Sequence, residues 1–234
     1  MNTAPHPSSR ISVISQDWRH TLFAHWRFDA ATLQALIPPA LTLDRYDGSA
    51  WISLVALRVE RPRLTALGCL PILPAFVEVN LRTYVTHRGH RGVWFLRIEA
   101  ATRIGVLVAR ALFHAPFHHA SLSLHDGPPI ACTTTASPTA EFVYEPHSNA
   151  VETERDDLSE FLMNRLSMFS ASARGQLFRS DIAHQAWTLQ RTAPEPRVHA
   201  AAMFAKCAIT VPAEPPICYY ANKMPTKMML PRRV

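Results

Sequence analysis

Residues 76–85 alternate almost without fault between apolar and polar positions. A β-strand turns successive side chains to opposite faces, so Val77, Val79, Leu81, Thr83 and Val85 share one face and Glu78, Asn80, Arg82 and Tyr84 the other. A second alternating run, residues 93–100, follows across a short polar turn at 87–92, and the two form an antiparallel hairpin. Upstream, residues 18–28 read as an aromatic-rich strand. Asp29 is placed to cap a short helix over 30–37 that Pro38-Pro39 ends. Tyr46-Asp47-Gly48 signals a turn into a strand at 50–60, and the proline-rich stretch 61–74 is expected to be a loop.

Downstream the period changes. Residues 101–113 are rich in Ala and Leu and predict a helix; 117–124 and 130–135 predict a hairpin around Asp126-Gly127-Pro128, and 141–144 a short strand. Residues 157–170 predict an amphipathic helix with the stripe Leu158, Phe161, Leu162, Leu166 and Phe169, capped by Asp156 or Asp157. Strands are expected at 177–182, 186–190 and 217–220, while 200–207 fits helix or strand. Many antiparallel strands with a few flanking helices predict an α+β fold built on a strongly curved or partly closed, barrel-like sheet.

Composition narrows the class. A chain of 234 residues with 48% hydrophobic and 18% charged residues can bury a full core. No composition break divides it, so one domain is expected over 17–222, preceded by a flexible segment (1–16) and followed by a tail (223–234). The net charge of +6 does not mark a nucleic-acid binder, because arginine is spread along the chain and Lys206, Lys223 and Lys227 cluster at its end. Four cysteines without paired spacing read as reduced. With no apolar leader or spanning run, the expectation is a cytoplasmic protein that binds neither nucleic acid nor membrane. An exposed edge strand leaves a homo-oligomer open.

The polar face of 76–85 carries the candidate chemistry. An acid, an amide, a guanidinium and a phenol can together fix the orientation of a polar ligand. The competing reading is structural: Glu78 or Glu99 pairs with Arg82 or Arg110 inside the sheet. His118 and His119 point to opposite faces of a strand, so at most one faces a cavity. A cavity histidine near Glu78 could exchange protons near neutral pH, while the plainer reading is a histidine hydrogen-bonded in the wall. The spacings His87-x-x-His90 and His114-x-x-x-His118 give no helical ligand pair, so no metal is expected. A phosphate-cradling glycine loop and the G-x-S-x-G motif are both absent. Trp26, Trp51 and Trp94 are expected in the core.

Several motifs resemble one family. They are Trp18-x-x-x-x-Leu22-Phe23-x-His25-Trp26; Ile37-Pro38-Pro39 through Ala50-Trp51-Ile52; Glu78-x-Asn80-x-Arg82-Thr83-Tyr84-Val85 with Gly92-Val93-Trp94-Phe95; Ala109-Arg110-x-x-Phe113-x-x-Pro116-Phe117; and His184-x-x-Trp187-x-Leu189. Their order and spacing are similar to the YqjF-like proteins (domain of unknown function 2071), grouped with the acetoacetate decarboxylase-like fold. The resemblance implies a cone-shaped antiparallel barrel around a pocket. The decarboxylase supplies a Schiff-base lysine from an Arg-x-x-x-aromatic-Pro-Lys-Lys run. Here Phe117-His118-His119 stands in the comparable place, and no lysine precedes Lys206.

The pocket is therefore inherited without the decarboxylase mechanism. The expected ligand is a small anion, a carboxylate or keto acid, with no cofactor. Asn80, Arg82, Tyr84 and Arg110 would bind it, and Glu78 and His118 would exchange protons. Either a non-Schiff-base enzyme or a non-catalytic binding or sensing protein fits this pattern.

Overall fold

The two ends of the chain pair with each other. The computed structural model describes residues 12–65, 70–134, 140–146, 156–190, 192 and 196–234. It opens with a long strand, β1 (Ser12–Phe28), followed by α1 (Ala30–Ala35), β2 (Thr42–Leu43), β3 (Ala50–Leu64), β4 (Leu70–Pro71), β5 (Phe76–His87) and β6 (His90–Ala100). Next come α2 (Arg103–Phe113), β7 (Phe117–His119), β8 (Leu122–His125), β9 (Ile130–Thr134) and β10 (Glu141–Tyr144). The chain then forms α3 (Asp157–Met163), β11 (Ser167–Ala171), β12 (Leu177–His184), β13 (Arg197–His199), α4 (Ala201–Ala205), β14 (Ile217–Met229) and β15 (Arg232–Arg233).

The large sheet runs β2-β5-β3-β1-β14-β12-β11-β6-β7, and β5 also pairs with β6. That second pairing closes seven strands, β5, β3, β1, β14, β12, β11 and β6, into a ring. The structure is thus an α+β fold on a strongly curved, ring-closed sheet. A smaller sheet, β13-β10-β9-β8, packs on its outside together with α1 and α4.

Alternation along each wall strand feeds two cores. Leu22, Ala24, Leu54, Ala56, Val79 and Leu81 face outward and meet Cys132, Phe142, Tyr144 and Phe204 of the covering layer. Phe23, Trp51, Val55, Leu57, Tyr84 and Ile98 face inward and meet Phe161 and Leu162 of α3. Both faces of the wall are therefore buried. Each fully covered Leu or Phe contributes roughly 1.5–3 kcal/mol. Trp26 and Trp51 are buried, at 3% and 1% exposure, and Trp94 is partly covered.

Local signals explain most boundaries. Asp29 caps α1 by accepting from the Thr32 amide at 2.7 Å, and Thr102 caps α2. The β5–β6 hairpin turns through Arg88 and Gly89 alone, both at positive φ, as two-residue hairpins require.

Six expectations need correction. The flexible segment placed at 1–16 is a strand from Ser12 onward, because Val13 and Ile14 bury in the barrel and Ser12–Gln16 pair with β14; residues 1–11 lie outside the described residues. The tail placed at 223–234 is the second half of β14, with Met224 and Met229 buried, followed by β15. Residues 61–64 extend β3 rather than starting a loop.

The helix expected over 157–170 stops at Met163. Residues 167–171 instead become β11, whose pairing with β6 and β12 completes the ring and sends Met168 to the inner core and Phe169 to the outer. Sheet closure outweighs the helical period there. Finally, 186–190 contributes only a bridge between Gln190 and Tyr220, and 117–124 divides between β7 of the large sheet and β8 of the small one.

Candidate functional site

β5 carries Glu78, Asn80 and Arg82 on the face turned into the barrel. Opposite them on β6 stand Ala100, Ile98 and Phe95, with a bulge between Leu81 and Arg82 that lets Phe95 rather than Leu96 face Arg82. These residues line a cavity of about 110 Å³. Its walls are mostly apolar, including Ile14, Phe23, Leu57, Phe113 and Met168, and α2 with residues 72–76 closes one end. Trp18, Trp187 and His184 line it from β1 and the end of β12.

The electrostatics follow from enclosure. Burial pushes the Glu78 carboxyl up from 4.5 to about 7, against the opposing pull of the Asn80 hydrogen bond and the Arg82 charge. Asn80 Nδ2 donates to Glu78 Oε1 at 3.0 Å. Arg82 acts on Glu78 only across space and forms no ion pair with it among the described residues. Burial also lowers the Arg82 guanidinium, while the adjacent Tyr84 hydroxyl supports its charge. Several buried polar atoms of cavity-lining residues lack partners: Arg82 Nε, Arg165 Nη2, Asn80 Oδ1 and Thr21 Oγ1.

Tyr84 stands behind Arg82 and does not line the cavity. Its hydroxyl lies 2.5 Å from Ser53 Oγ and 3.1 Å from His25 Nδ1, and His25 Nδ1 is 2.5 Å from the same Ser53 oxygen. Burial, aided by the Arg82 charge, brings His25 down to about 3, so its imidazole is neutral at physiological pH. Arg165, just past α3, packs 4.3 Å over Phe161 and 4.9 Å over Tyr84, and pairs with Asp44. Its charge is balanced. That of Arg82 is not.

His118 and Arg110 lie elsewhere. They line an outer groove with His114, Lys206 and Cys207, separated from the cavity by Phe95 and Phe117, which line both. His118 sits beside Glu99 in the β6–β7 register, and His119 points to solvent. Burial and then the Arg97 and Arg110 charges lower His118. Burial alone would raise Glu99, but hydrogen bonds from Lys206 and Arg97, each 2.8 Å, hold it below the usual range. The structure thus gathers Glu78, Asn80 and Arg82 at one place and Arg110 and His118 at another.

Two cavity residues escaped the sequence reading of the site. His184 entered only as part of a motif, and Arg165 carried no periodic signal, since it follows a helix that was expected to continue. Burial, together with the Arg82 charge and against a hydrogen bond to the Gln185 carbonyl, lowers His184. No lysine lines the cavity among the described residues, and no three His, Cys, Asp or Glu side chains among them gather as a metal site.

Comparison with solved structures places this architecture. Acetoacetate decarboxylase from Legionella pneumophila superposes with a TM-score of 0.69 at 12% identity, covering 100% of this chain and 92% of that one. The enduracididine biosynthesis enzyme MppR, complexed with pyruvate, superposes at 0.67 with 8% identity, covering 97% and 91%. An acetoacetate decarboxylase-like enzyme from Sphingomonas wittichii RW1 does so at 0.63 with 14% identity, covering 100% and 98%. At these identities the likeness is one of fold. In sequence, the chain is 35% identical over 218 residues to the uncharacterized protein YqjF of Bacillus subtilis (strain 168), covering 91% of this chain and 89% of that one. Residues 15–225 match the model of DUF2071, an uncharacterized conserved protein, and the chain belongs to that family.

Proposed function

We propose that the cavity binds one small organic acid with an apolar body, its carboxylate held at Arg82 and its remainder against the hydrophobic wall. The observation that carries this reading is the Arg82 guanidinium: the residue is half-buried, has no ion-pair partner among the described residues, and has a buried, unused Nε at a cavity wall. Enclosing a cation without a counter-charge is costly, and an anion removes that cost. Glu78 does not neutralise it fully, because a carboxyl held near 7 carries about half a charge at neutral pH.

The size fits too. A dry apolar cavity of roughly 150 Å³ accommodates benzene, so 110 Å³ with its polar end accepts an acid of a few carbons. MppR, which shares the fold, is described in complex with pyruvate, a keto acid.

As a chemical device, the site offers Glu78 as a proton donor or acceptor poised near neutrality beside a fixed carboxylate. With no lysine at the cavity, a Schiff base is not part of this reading. Arg110 and His118 lie beyond the Phe95–Phe117 partition and so do not form the inner site.

The test is a thermal-shift screen of short carboxylic, keto and hydroxy acids on wild type and Arg82→Leu. Stabilisation of wild type alone by apolar monocarboxylates is expected. The variant should fold, since Arg82 leaves no ion-pair partner stranded. No stabilisation by any acid, or collapse of the variant, contradicts the reading. Acids that bind would then be assayed for turnover; binding without turnover assigns the site to sensing or carriage.

A further inference from the structure

One unpaired stretch of the barrel wall lies on β6. Along its edge away from β5, β6 pairs with β11 at Val93 and Trp94 and with β7 at Ile98, Glu99 and Ala100. Phe95, Leu96 and Arg97, between them, have no strand partner on that edge among the described residues. Where strands of the ring pair, backbone hydrogen bonds seal neighbours about 4.8 Å apart. Here side chains alone do so.

The outer groove lies against this gap. Phe95 and Phe117 line both spaces and so stand between the groove and the cavity. Aromatic rings held only by packing can rotate aside without breaking a backbone ladder, and segments with few backbone hydrogen bonds open most readily.

The groove's chemistry matches the ligand inferred for the interior. Arg110 is exposed on the last turn of α2, and Lys206 reaches in from the end of α4. Arg97 stands at the gap itself. Glu99 is the nearby acid, and both Arg97 and Lys206 already bond it. Three cations against one carboxylate leave the groove positive.

Its apolar flank is formed by Trp94, Leu96, Pro116 and Phe169. Ser170 adds an independent mark of an unfilled polar position: the residue is 3% exposed, lines the groove, and its hydroxyl has no hydrogen-bond partner.

We propose that this groove is an outer binding site through which an organic carboxylate reaches the cavity, docking at Arg110 and Lys206 and passing between Phe95 and Phe117. The proposal rests on the carboxylate reading of the cavity. It gives Arg110 a role in capture rather than in final binding. It also accounts for a positively charged groove built against an unsealed stretch of wall.

The experiment is stopped-flow binding of butanoate, an acid of the size the cavity accepts, to the full chain, read through the fluorescence of Trp18 and Trp187 at the cavity. Two variants alter the groove without touching the cavity. Ala173→Trp places a bulky side chain at an exposed groove position in the β11–β12 turn; Arg110→Gln removes a capture charge. A blocked passage slows entry and exit alike, so Ala173→Trp should lower association and dissociation rates together by about tenfold, with Kd changed less than about twofold.

Arg110→Gln should lower the association rate about threefold at low salt, with the difference vanishing near ~0.5 M salt. Butanoate that binds wild type and both variants at identical rates overturns the passage and directs entry to another part of the wall. A raised Kd with unchanged association makes the groove a terminal site and overturns it equally. Absence of butanoate binding to wild type instead overturns the carboxylate reading, and this proposal falls with it.

Discussion

Glu78→Gln separates a proton-poised carboxyl from a structural one. In the folded protein, burial holds the Glu78 carboxyl near 7, against 4.5 in the unfolded chain. The folded state therefore keeps its proton longer. The stability associated with this group is whole below pH 4.5 and is lost as pH climbs through 7. At about 1.4 kcal/mol per pH unit, the loss by pH 8.5 is about 3 kcal/mol.

Glutamine mimics the protonated acid, and its carbonyl can still accept from Asn80 Nδ2. The variant should therefore match wild type at pH 4.5 and exceed its stability at pH 8.5 by about 3 kcal/mol, or roughly 6–12 °C in Tm for a chain of this size. Urea unfolding of both proteins at the two pH values measures it, and taking the difference cancels every other titrating group. A variant less stable than wild type at pH 8.5 would refute the reasoning. It would mean that ionised Glu78 is stabilised by Arg82 as an internal ion pair.

Two further outcomes follow from the wall of the barrel. His25, fully buried against Ser53 and Tyr84 and lowered to about 3, should show no imidazole titration by NMR between pH 5 and 8; a midpoint near 6.5 would contradict its enclosure. Gly92 faces β11 so closely that an added Cβ would lie 2.7 Å from the Ser167 carbonyl and 2.8 Å from the Phe169 ring. Gly92→Ala should therefore cost about 1–3 kcal/mol in urea unfolding by forcing the β6–β11 seam apart; unchanged stability would mean the seam is looser than its geometry indicates.

The wall was legible where each strand carries its own signal. Residues 76–85 announced both β5 and its inward polar face, because one face packs on the outer layer while the other lines a cavity. The Asp29 and Thr102 caps mark local events. Less visible were features that exist only once the ring closes.

Residues 167–170 read as helix because Leu158, Phe161, Leu162, Leu166 and Phe169 fall at helical spacing. Their fate as β11 depends on pairing with the following β12 and with β6, which lies far away in sequence. The chain ends looked frayed because their partner strands are each other.

The same limit applies to the site. Arg82 and Arg110 both looked like carboxylate grips, but only the fold separates a cavity arginine from one on the outside of a gap. His184 gained meaning when the end of β12 brought it beside Trp18 and Trp187.

The most direct test of the account is the proton balance of ligand binding. A carboxylate held at Arg82 lies close to Glu78, and a second negative charge there raises the Glu78 carboxyl further. Butanoate binding at pH 7.5, measured by titration calorimetry in buffers of different ionisation enthalpy, should therefore take up a fraction of one proton, and Glu78→Gln should take up none. Binding without proton uptake, or uptake that persists in Glu78→Gln, would place the anion away from Arg82 and Glu78 and contradict the central claim.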